Sequence, residues 1–378
     1  MLVVLFLVGA ALLWVSLFGY VAVLLVLAAR ARRHPQGRPD APLPHIAVVV
    51  PVRNEARFIA DKLADVRGSD YPADRLLTVV VDGGSTDATA AEVDAAQARG
   101  ATIELLRVDG ARGKAEQLNA VFDRLSQEII VLTDVDARLA PNCVRELVTA
   151  FLSDPSTDLV GARIRPATRL MEERIHWWLL NSLWWLEGEA LAATGVSGVC
   201  YAIRRSAIRR LPSDCTADDI WLALTIGARG AGVRICRAAL ATELRVPQTI
   251  REFLRFRRRR GLGYMRELRR TRIERAPLRW HAMRVLRLYH FLAMPVVAGA
   301  VAAGAVAVCV LADWHWPALV AAAFIVPALG ALFASTTLGA ETRRWWRLSF
   351  AAGRLAGLTW WSLLGLRGES PAPLPHGE

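Results

Sequence analysis

Cysteine is scarce and unpatterned in this 378-residue chain: five thiols, at positions 143, 200, 215, 236 and 309, form an odd set with no metal-ligand spacing. That excludes a zinc ribbon and a disulfide framework, and it fits reduced structural thiols in the cytosol. No GxGxxG follows any candidate strand, so a dinucleotide-binding domain has no support. Lysine is nearly missing too, with only Lys62 and Lys114 beside 45 arginines. Charge of either sign is absent from residues 2 to 29. At ~1.5 Å rise per residue, a helix of that length exceeds the ~30 Å apolar core of a bilayer. A hydrophobic fraction of 54% and a mean hydropathy of +0.29 exclude a purely soluble composition.

A cleaved signal peptide would carry a basic segment before its apolar run, whereas Arg30, Arg32 and Arg33 come after it, so residues 1–30 read as a retained anchor. Leu288 to Ala312 and Trp314 to Ala340 are uncharged runs separated by Asp313, the pattern of a transmembrane hairpin. Trp345 to Leu366 contains Arg347 and Arg354, which leaves a third spanning helix and an interfacial helix both open. Between Arg251 and Arg287, 14 arginines face only Glu252, Glu267 and Glu274. Their place directly before a span follows the positive-inside rule, which sets the middle of the chain on the cytosolic side of the cell membrane without invoking nucleic acid. The expected organisation is an anchor at 1–30, a linker at 31–44, a catalytic domain at 45–265, a basic juxtamembrane segment at 266–287, membrane helices within 288–366 and a tail at 367–378.

The middle alternates strand and helix patterns: Ile46 to Val50, Leu77 to Val81, Ile103 to Val108 and Ile129 to Thr133 as strands, with helices over Glu55 to Val66, Thr86 to Ala98 and Ala115 to Leu125. This order predicts an α/β domain with a mostly parallel sheet and ligands at the carboxyl ends of its strands. The first strand tip reads Pro51, Val52, Arg53, Asn54, Glu55, and the second Asp82, Gly83, Gly84, Ser85, Thr86, Asp87, with Ser85 or Thr86 placed to cap the next helix. The fourth reads Thr133, Asp134, Val135, Asp136. Two carboxylates at i and i+2 after a buried strand suit a hard divalent cation, Mg²⁺ or Mn²⁺, bridging to phosphate; two solvated loop aspartates are the plainer alternative.

Taken together, these tips resemble the GT-A domain of the family-2 glycosyltransferases, from Val48 to Gly263. The shared motifs are Pro51, Asn54, Glu55 with Tyr71, Pro72; Val80 to Asp87 for VVDDGSTD, with Gly83 in place of the second aspartate; and Gly113, Lys114, Leu118, Asn119 for GKxxxLN. Gly198, Cys200, Arg204 and Arg205 are similar to a stretch near the acceptor in the cellulose and hyaluronan synthase group, and Thr216 to Leu222 stands where the family has TEDxxL. Pro247, Thr249 and the run from Phe256 to Arg260 overlay the P-x-T and QRxRW of processive synthases, but Phe256 replaces the glutamine and Arg260 the tryptophan.

The resemblance implies a Rossmann-like GT-A domain and an inverting transfer from a nucleotide-sugar, with UDP-sugar the expected donor. Asp219 takes the general-base position and Asp218 that of the neighbouring glutamate. Asp134 and Asp136 hold the metal, Asp82 the base edge, and Arg257 and Arg259 the diphosphate. Pro51, Asn54, Glu55 and Lys114 complete the donor site, and Gly198, Cys200 and Arg260 lie at the acceptor. Loss of the motif tryptophan implies a single transfer over polymer extrusion. Trp177, Trp178, Trp184 and Trp185, within 172–192, suit either core packing or a helix in the headgroup region, and with it a lipid-linked, polyprenyl-linked or polysaccharide acceptor. A processive polysaccharide synthase remains open, as does an inactive scaffold or an anionic-ligand binder using the arginine cluster.

Overall fold

The computed structural model describes residues 19–31, 42–99, 102–111, 113–271, 280–282, 285 and 287. They divide between two units, one spanning Leu27–Trp280 and one that holds the flanking segments. Most of the expected anchor and all of the expected hairpin and terminal helix lie outside the described residues. Among the described residues, no helix is long and apolar enough to cross a membrane.

The larger unit is built on one eight-stranded sheet. Its strands are β1 (Ile46–Val52), β2 (Leu76–Asp82), β3 (Ile103–Arg107), β4 (Ile129–Thr133), β5 (Ala137–Leu139), β6 (Thr157–Pro166), β7 (Cys200–Arg204) and β8 (Gly232–Glu243). The helices are α1 (Ala56–Arg67), α2 (Thr89–Ala98), α3 (Lys114–Phe122), α4 (Cys143–Ser153), α5 (Met171–Ala190), α6 (Asp218–Ala228) and α7 (Ile250–Arg270). The strand order is β3-β2-β1-β4-β7-β6-β8-β5. Every residue of β1 and β4 is buried, as expected of β-branched strands covered on both faces.

The four strands read from the sequence form the parallel half, with β1 between β2 and β4. Beyond β4 the sheet departs from the mostly parallel expectation. β7 runs antiparallel to β4 and β6, and β5 is antiparallel to β8. The reversal has a consequence for chemistry. An antiparallel neighbour begins where β4 ends, so Cys200 pairs with Thr133, and the loop before β7 arrives beside the carboxyl ends of β1, β2 and β4.

One expected boundary is corrected, and the alternatives left open for the tryptophans are narrowed toward core packing. The boundary at residue 265 falls inside α7, whose Glu267 and Leu268 are buried; Glu267 accepts hydrogen bonds from Thr216 N (3.0 Å) and Thr216 Oγ1 (3.2 Å), which binds the end of α7 to the domain. The four tryptophans do not share one outward face of α5. Trp177 and Trp184 are buried, Trp178 is exposed, and Trp185 lies partly covered with the Arg237 guanidinium 4.8 Å from its ring. A spacing of seven puts Trp177 and Trp184 on the same core-facing stripe.

Gly188 lets α5 sit close on β8. A Cβ there would lie 3.2 Å from the Val233 carbonyl oxygen and 3.3 Å from Arg234 Cα, both backbone atoms that cannot swing away. Gly188→Ala returns about 1 kcal/mol of helix propensity but overpacks at a cost of about 1–3 kcal/mol. The expected outcome is a net loss of about 1 kcal/mol in urea unfolding.

Candidate functional site

The site forms at the carboxyl ends of β1, β2 and β4, closed by the loop before β7 and the start of α6. Its first element is a locked pair of turns. Asn54 adopts φ 56°, in the left-handed region that asparagine tolerates better than most residues. Its N–H donates to Ser85 Oγ (2.9 Å) and its Oδ1 accepts from Thr86 N (2.8 Å). Asp82 is buried at the end of β2, and its Oδ1 accepts from Ser85 N (2.9 Å) and Ser85 Oγ (2.6 Å). Ser85 and Thr86 therefore tie the two turns together and do not cap α2. Asp87 does that work instead, its Oδ1 accepting from Thr89 N at 3.0 Å. Pro51 is buried within β1, in register with Val81 of β2.

Gly83, where the resemblance expects a second aspartate, has a physical explanation. A Cβ there would lie 2.4 Å from Gln117 Nε2. That amide is buried and donates to the carbonyls of Val52 (2.8 Å) and Val81 (3.1 Å). Gln117 thus occupies the space of the missing side chain.

The second element is an acidic cluster around Lys114, the first residue of α3. Its ammonium lies 2.9 Å from Asp134 and 3.5 Å from Asp218. Burial opposes its charge, but Asp134 and Asp218 outweigh that and hold its pKa well above the usual lysine value. Asp219 accepts from Gly198 N (2.6 Å) and Ile220 N (2.8 Å). Burial, with the Asp218 charge beside it, pushes its pKa up to about 6. Asp218 accepts instead from Tyr201 O–H (3.1 Å), so the two neighbouring carboxylates have different partners. Gly198 is placed where a side chain would crowd the site: a Cβ would lie 3.3 Å from Asp219 Oδ2 and 3.4 Å from Lys114 Nζ.

Asp136 sits one turn away. Its pKa is raised by burial and then by Asp134, the sign of adjacent negative charge in a half-dry setting. Arg245 lies 3.7 Å from it and makes a two-pronged hydrogen bond with Glu55 (3.1 and 2.7 Å). The turn itself is held by backbone: Asp134 N donates to Val199 O (3.2 Å), Ala137 N to Asp134 O (3.2 Å) and Leu244 N to Asp136 O (3.0 Å).

Two residues assigned from sequence are turned elsewhere. Arg257 is buried and donates to Glu173 of α5, among Trp177, Phe253 and Phe256; burial lowers its pKa to about 10. One of its terminal nitrogens is engaged by the Glu173 carboxylate inside the protein. Cys200 is a fully buried thiol in β7, not an acceptor contact. Arg259 is exposed on α7 with its guanidinium 5.1 Å from the Phe256 ring. Arg260 donates to the buried Glu243 and lies 4.2 Å over Phe256. Tyr201 and Arg245 belong to the site although nothing singled them out. Arg245 stands two positions before Pro247, the start of a motif already noted, and Tyr201 directly follows Cys200.

The residues fit a divalent cation. Among the described residues no group of three or more His, Cys, Asp or Glu can hold a metal alone. Asp134 and Asp136 carry hard oxygens that could serve as ligands, since a phosphate-bound Mg²⁺ or Mn²⁺ commonly takes only one or two carboxylates, its other positions filled by phosphate and water.

Comparison with known proteins places this geometry in context. Residues 47–211 match the family described as Glycosyl transferase family 2. "Probable glycosyltransferase YdaM" of Bacillus subtilis (strain 168) is 26% identical over 233 residues, which are 58% of this chain and 55% of that protein. "Beta-monoglucosyldiacylglycerol synthase" of Synechocystis sp. (strain ATCC 27184 / PCC 6803 / Kazusa) is 29% identical over 114 residues, 30% of this chain and 24% of that one. The chain thus spans about half the length of the first of these curated relatives and about a quarter of the second. Among solved structures, the mannosyltransferase PcManGT from Pyrobaculum calidifontis, in complex with GDP-Man and Mn²⁺, superposes with a TM-score of 0.65 at 26% identity, covering 93% of this chain and 99% of that one.

Restoring an aspartate at Gly83 tests the explanation given for its absence. Gly83→Asp displaces Gln117 from two carbonyls, and the expected cost is about 1–3 kcal/mol, the penalty for buried groups left unpaired. The double variant Gly83→Asp with Gln117→Ala should be destabilised by less than the sum of the two single variants, because they compete for one space. Additive unfolding energies would show that the two positions do not interact.

Proposed function

We propose, from the match of residues 47–211 to the family described as Glycosyl transferase family 2, that the chain is an inverting glycosyltransferase that moves a sugar from a nucleotide-sugar to an acceptor hydroxyl. The observation that carries this reading is the convergence of Lys114, Asp134, Asp218, Asp219 and Gly198 at one end of the sheet. The donor is a nucleoside-diphosphate sugar. The motif pattern favours UDP, while the solved relative holds GDP-Man, so both nucleotides belong in the test.

Each side chain has a task that its surroundings permit. Asp219 takes the acceptor proton: its pKa of about 6 leaves it ionised at neutral pH yet more basic than a solvated carboxylate. Gly198 N and Ile220 N orient its two oxygens. Tyr201 and Lys114 hold Asp218 apart as a structural neighbour whose charge raises the basicity of Asp219. The hydroxyl then attacks the anomeric carbon from the face opposite the diphosphate, so an α-linked donor gives a β-linked product. Asp134 and Asp136 are the residues that would hold Mg²⁺ or Mn²⁺, which when bound neutralises charge on the diphosphate leaving group. The turn of Asn54, Asp82 and Ser85 faces the nucleoside.

The acceptor is proposed to be lipid-linked or otherwise close to a membrane, in keeping with the charge-free runs at both ends of the sequence. Transfer is proposed to be single. Arg260, in the slot of the motif tryptophan, is engaged by Glu243 and Phe256 and offers no free ring on which a growing chain could stack.

A panel of radiolabelled UDP- and GDP-sugars given to membranes expressing the chain, with products separated into lipid and polymer fractions, tests donor, acceptor and processivity together. Label in neither fraction with any donor would remove the enzymatic reading, and a ladder of repeating sugar increments would remove the single-transfer reading. Asp219→Asn is expected to keep donor affinity while transfer falls by roughly 10² or more. If Asp218→Asn were the damaging change and Asp219→Asn silent, the base would be misassigned. The acid limb of kcat/KM should fall off below a pH of about 6, because protonation of Asp219 removes the base. Chelation by EDTA, or Asp136→Ala, should abolish turnover.

A further inference from the structure

Lys62 is one of only two lysines in the chain, and it is fully buried on α1. Its ammonium donates to Thr133 Oγ1 at 2.8 Å and to the Ala137 carbonyl at 3.0 Å. These two acceptors bracket Asp134, Val135 and Asp136. Thr133 Oγ1 donates in turn to the Val199 carbonyl at 2.9 Å, the same oxygen that accepts from Asp134 N. The adjacent Gly198 donates to Asp219. A single side chain therefore grips both ends of the acidic turn and, through one hydroxyl, the loop that orients Asp219.

An ammonium in this position is expensive to fold. Burying a charge costs several kcal/mol even after relaxation, and an apolar residue of similar volume is often neutral or better for stability. Burial pulls the pKa of Lys62 down to about 8, with Cys200, Asp65 and Asp134 acting in the opposite direction, so it stays charged at neutral pH. Stability alone does not account for a lysine here, whereas geometry at the turn does. A divalent cation held by only two carboxylates depends on their separation and direction, which outer partners fix.

We propose that Lys62 is a positioning residue that sets the Asp134 and Asp136 carboxylates for a divalent cation, acting through Thr133 and the Ala137 carbonyl. The inference rests on the metal reading above. Mn²⁺ binding to the detergent-solubilised full-length chain, followed by electron paramagnetic resonance, reads it directly and without turnover, with thermal unfolding measured in parallel. Lys62→Met keeps the volume and removes both hydrogen bonds, and Thr133→Val keeps the shape and removes the hydroxyl relay while leaving the lysine charge. Both variants are expected to remain folded and to bind Mn²⁺ about 10- to 100-fold more weakly, the usual loss when an outer partner of a ligand is removed. The sign is informative, since removing a nearby positive charge without disturbing geometry would tighten cation binding. Wild-type or tighter affinity in either folded variant overturns the proposal, and so does a lowered melting temperature with unchanged affinity. If Lys62→Met does not fold, Thr133→Val decides alone. Absence of Mn²⁺ binding by the unaltered chain would instead remove the metal reading and this inference with it, a result distinct from tight binding by all three proteins.

Discussion

The structure is organised around an excess of negative charge at one end of the sheet. Asp134, Asp136, Asp218 and Asp219 converge there, with Glu55 and Glu243 close behind, in a setting only partly open to water. Like carboxylates in such a place raise one another's proton affinity unless a cation intervenes. Lys114 lies between Asp134 and Asp218, Arg245 between Glu55 and Asp136, and Arg260 beside Glu243. These three cations offset half of the six carboxylates, and burial beside Asp218 pushes the pKa of Asp219 up to about 6. That basicity suits the proton abstraction proposed for Asp219.

Strand direction makes the arrangement possible. Asp134 follows β4, and Asp219 lies more than eighty positions later on α6. They share a site because β7 runs back along β4 and delivers Gly198 next to Asp134 and under Asp219. A parallel β7 would start at the opposite edge and carry this loop away. Glycine at 198 then lets backbone approach where any side chain would meet Asp219 or Lys114.

The strand tips were legible in the sequence because their signals are local. Runs of valine and isoleucine mark β1, β2 and β4, and the polar tips that follow them are the places where a parallel sheet binds ligands. Helix starts were less legible. The pattern places a helix start at Thr86, whereas the helix begins at Thr89, because the hydrogen-bonding potential of Ser85 and Thr86 is claimed by a distant turn at Asn54. Arg257 shows the same limit more sharply. Its position in a motif suggested a phosphate ligand, but Glu173, 84 residues earlier, takes its guanidinium.

The sequence by itself determined the fold class of the first half, the acidic turn at Asp134 and Asp136, the lysine at 114 and the carboxylate pair at 218 and 219, since each depends on residues close together in the chain. Tertiary structure decided which partner each of these groups has. It gave Asp218 to Tyr201 and Asp219 to the Gly198 amide, filled the space beside Gly83 with Gln117, turned Arg257 inward, and set Lys62 beneath the acidic turn. The reason is physical: charge, burial and hydrogen-bond pairing depend on distance in space, and for groups this far apart in sequence that distance is fixed only when the sheet is assembled.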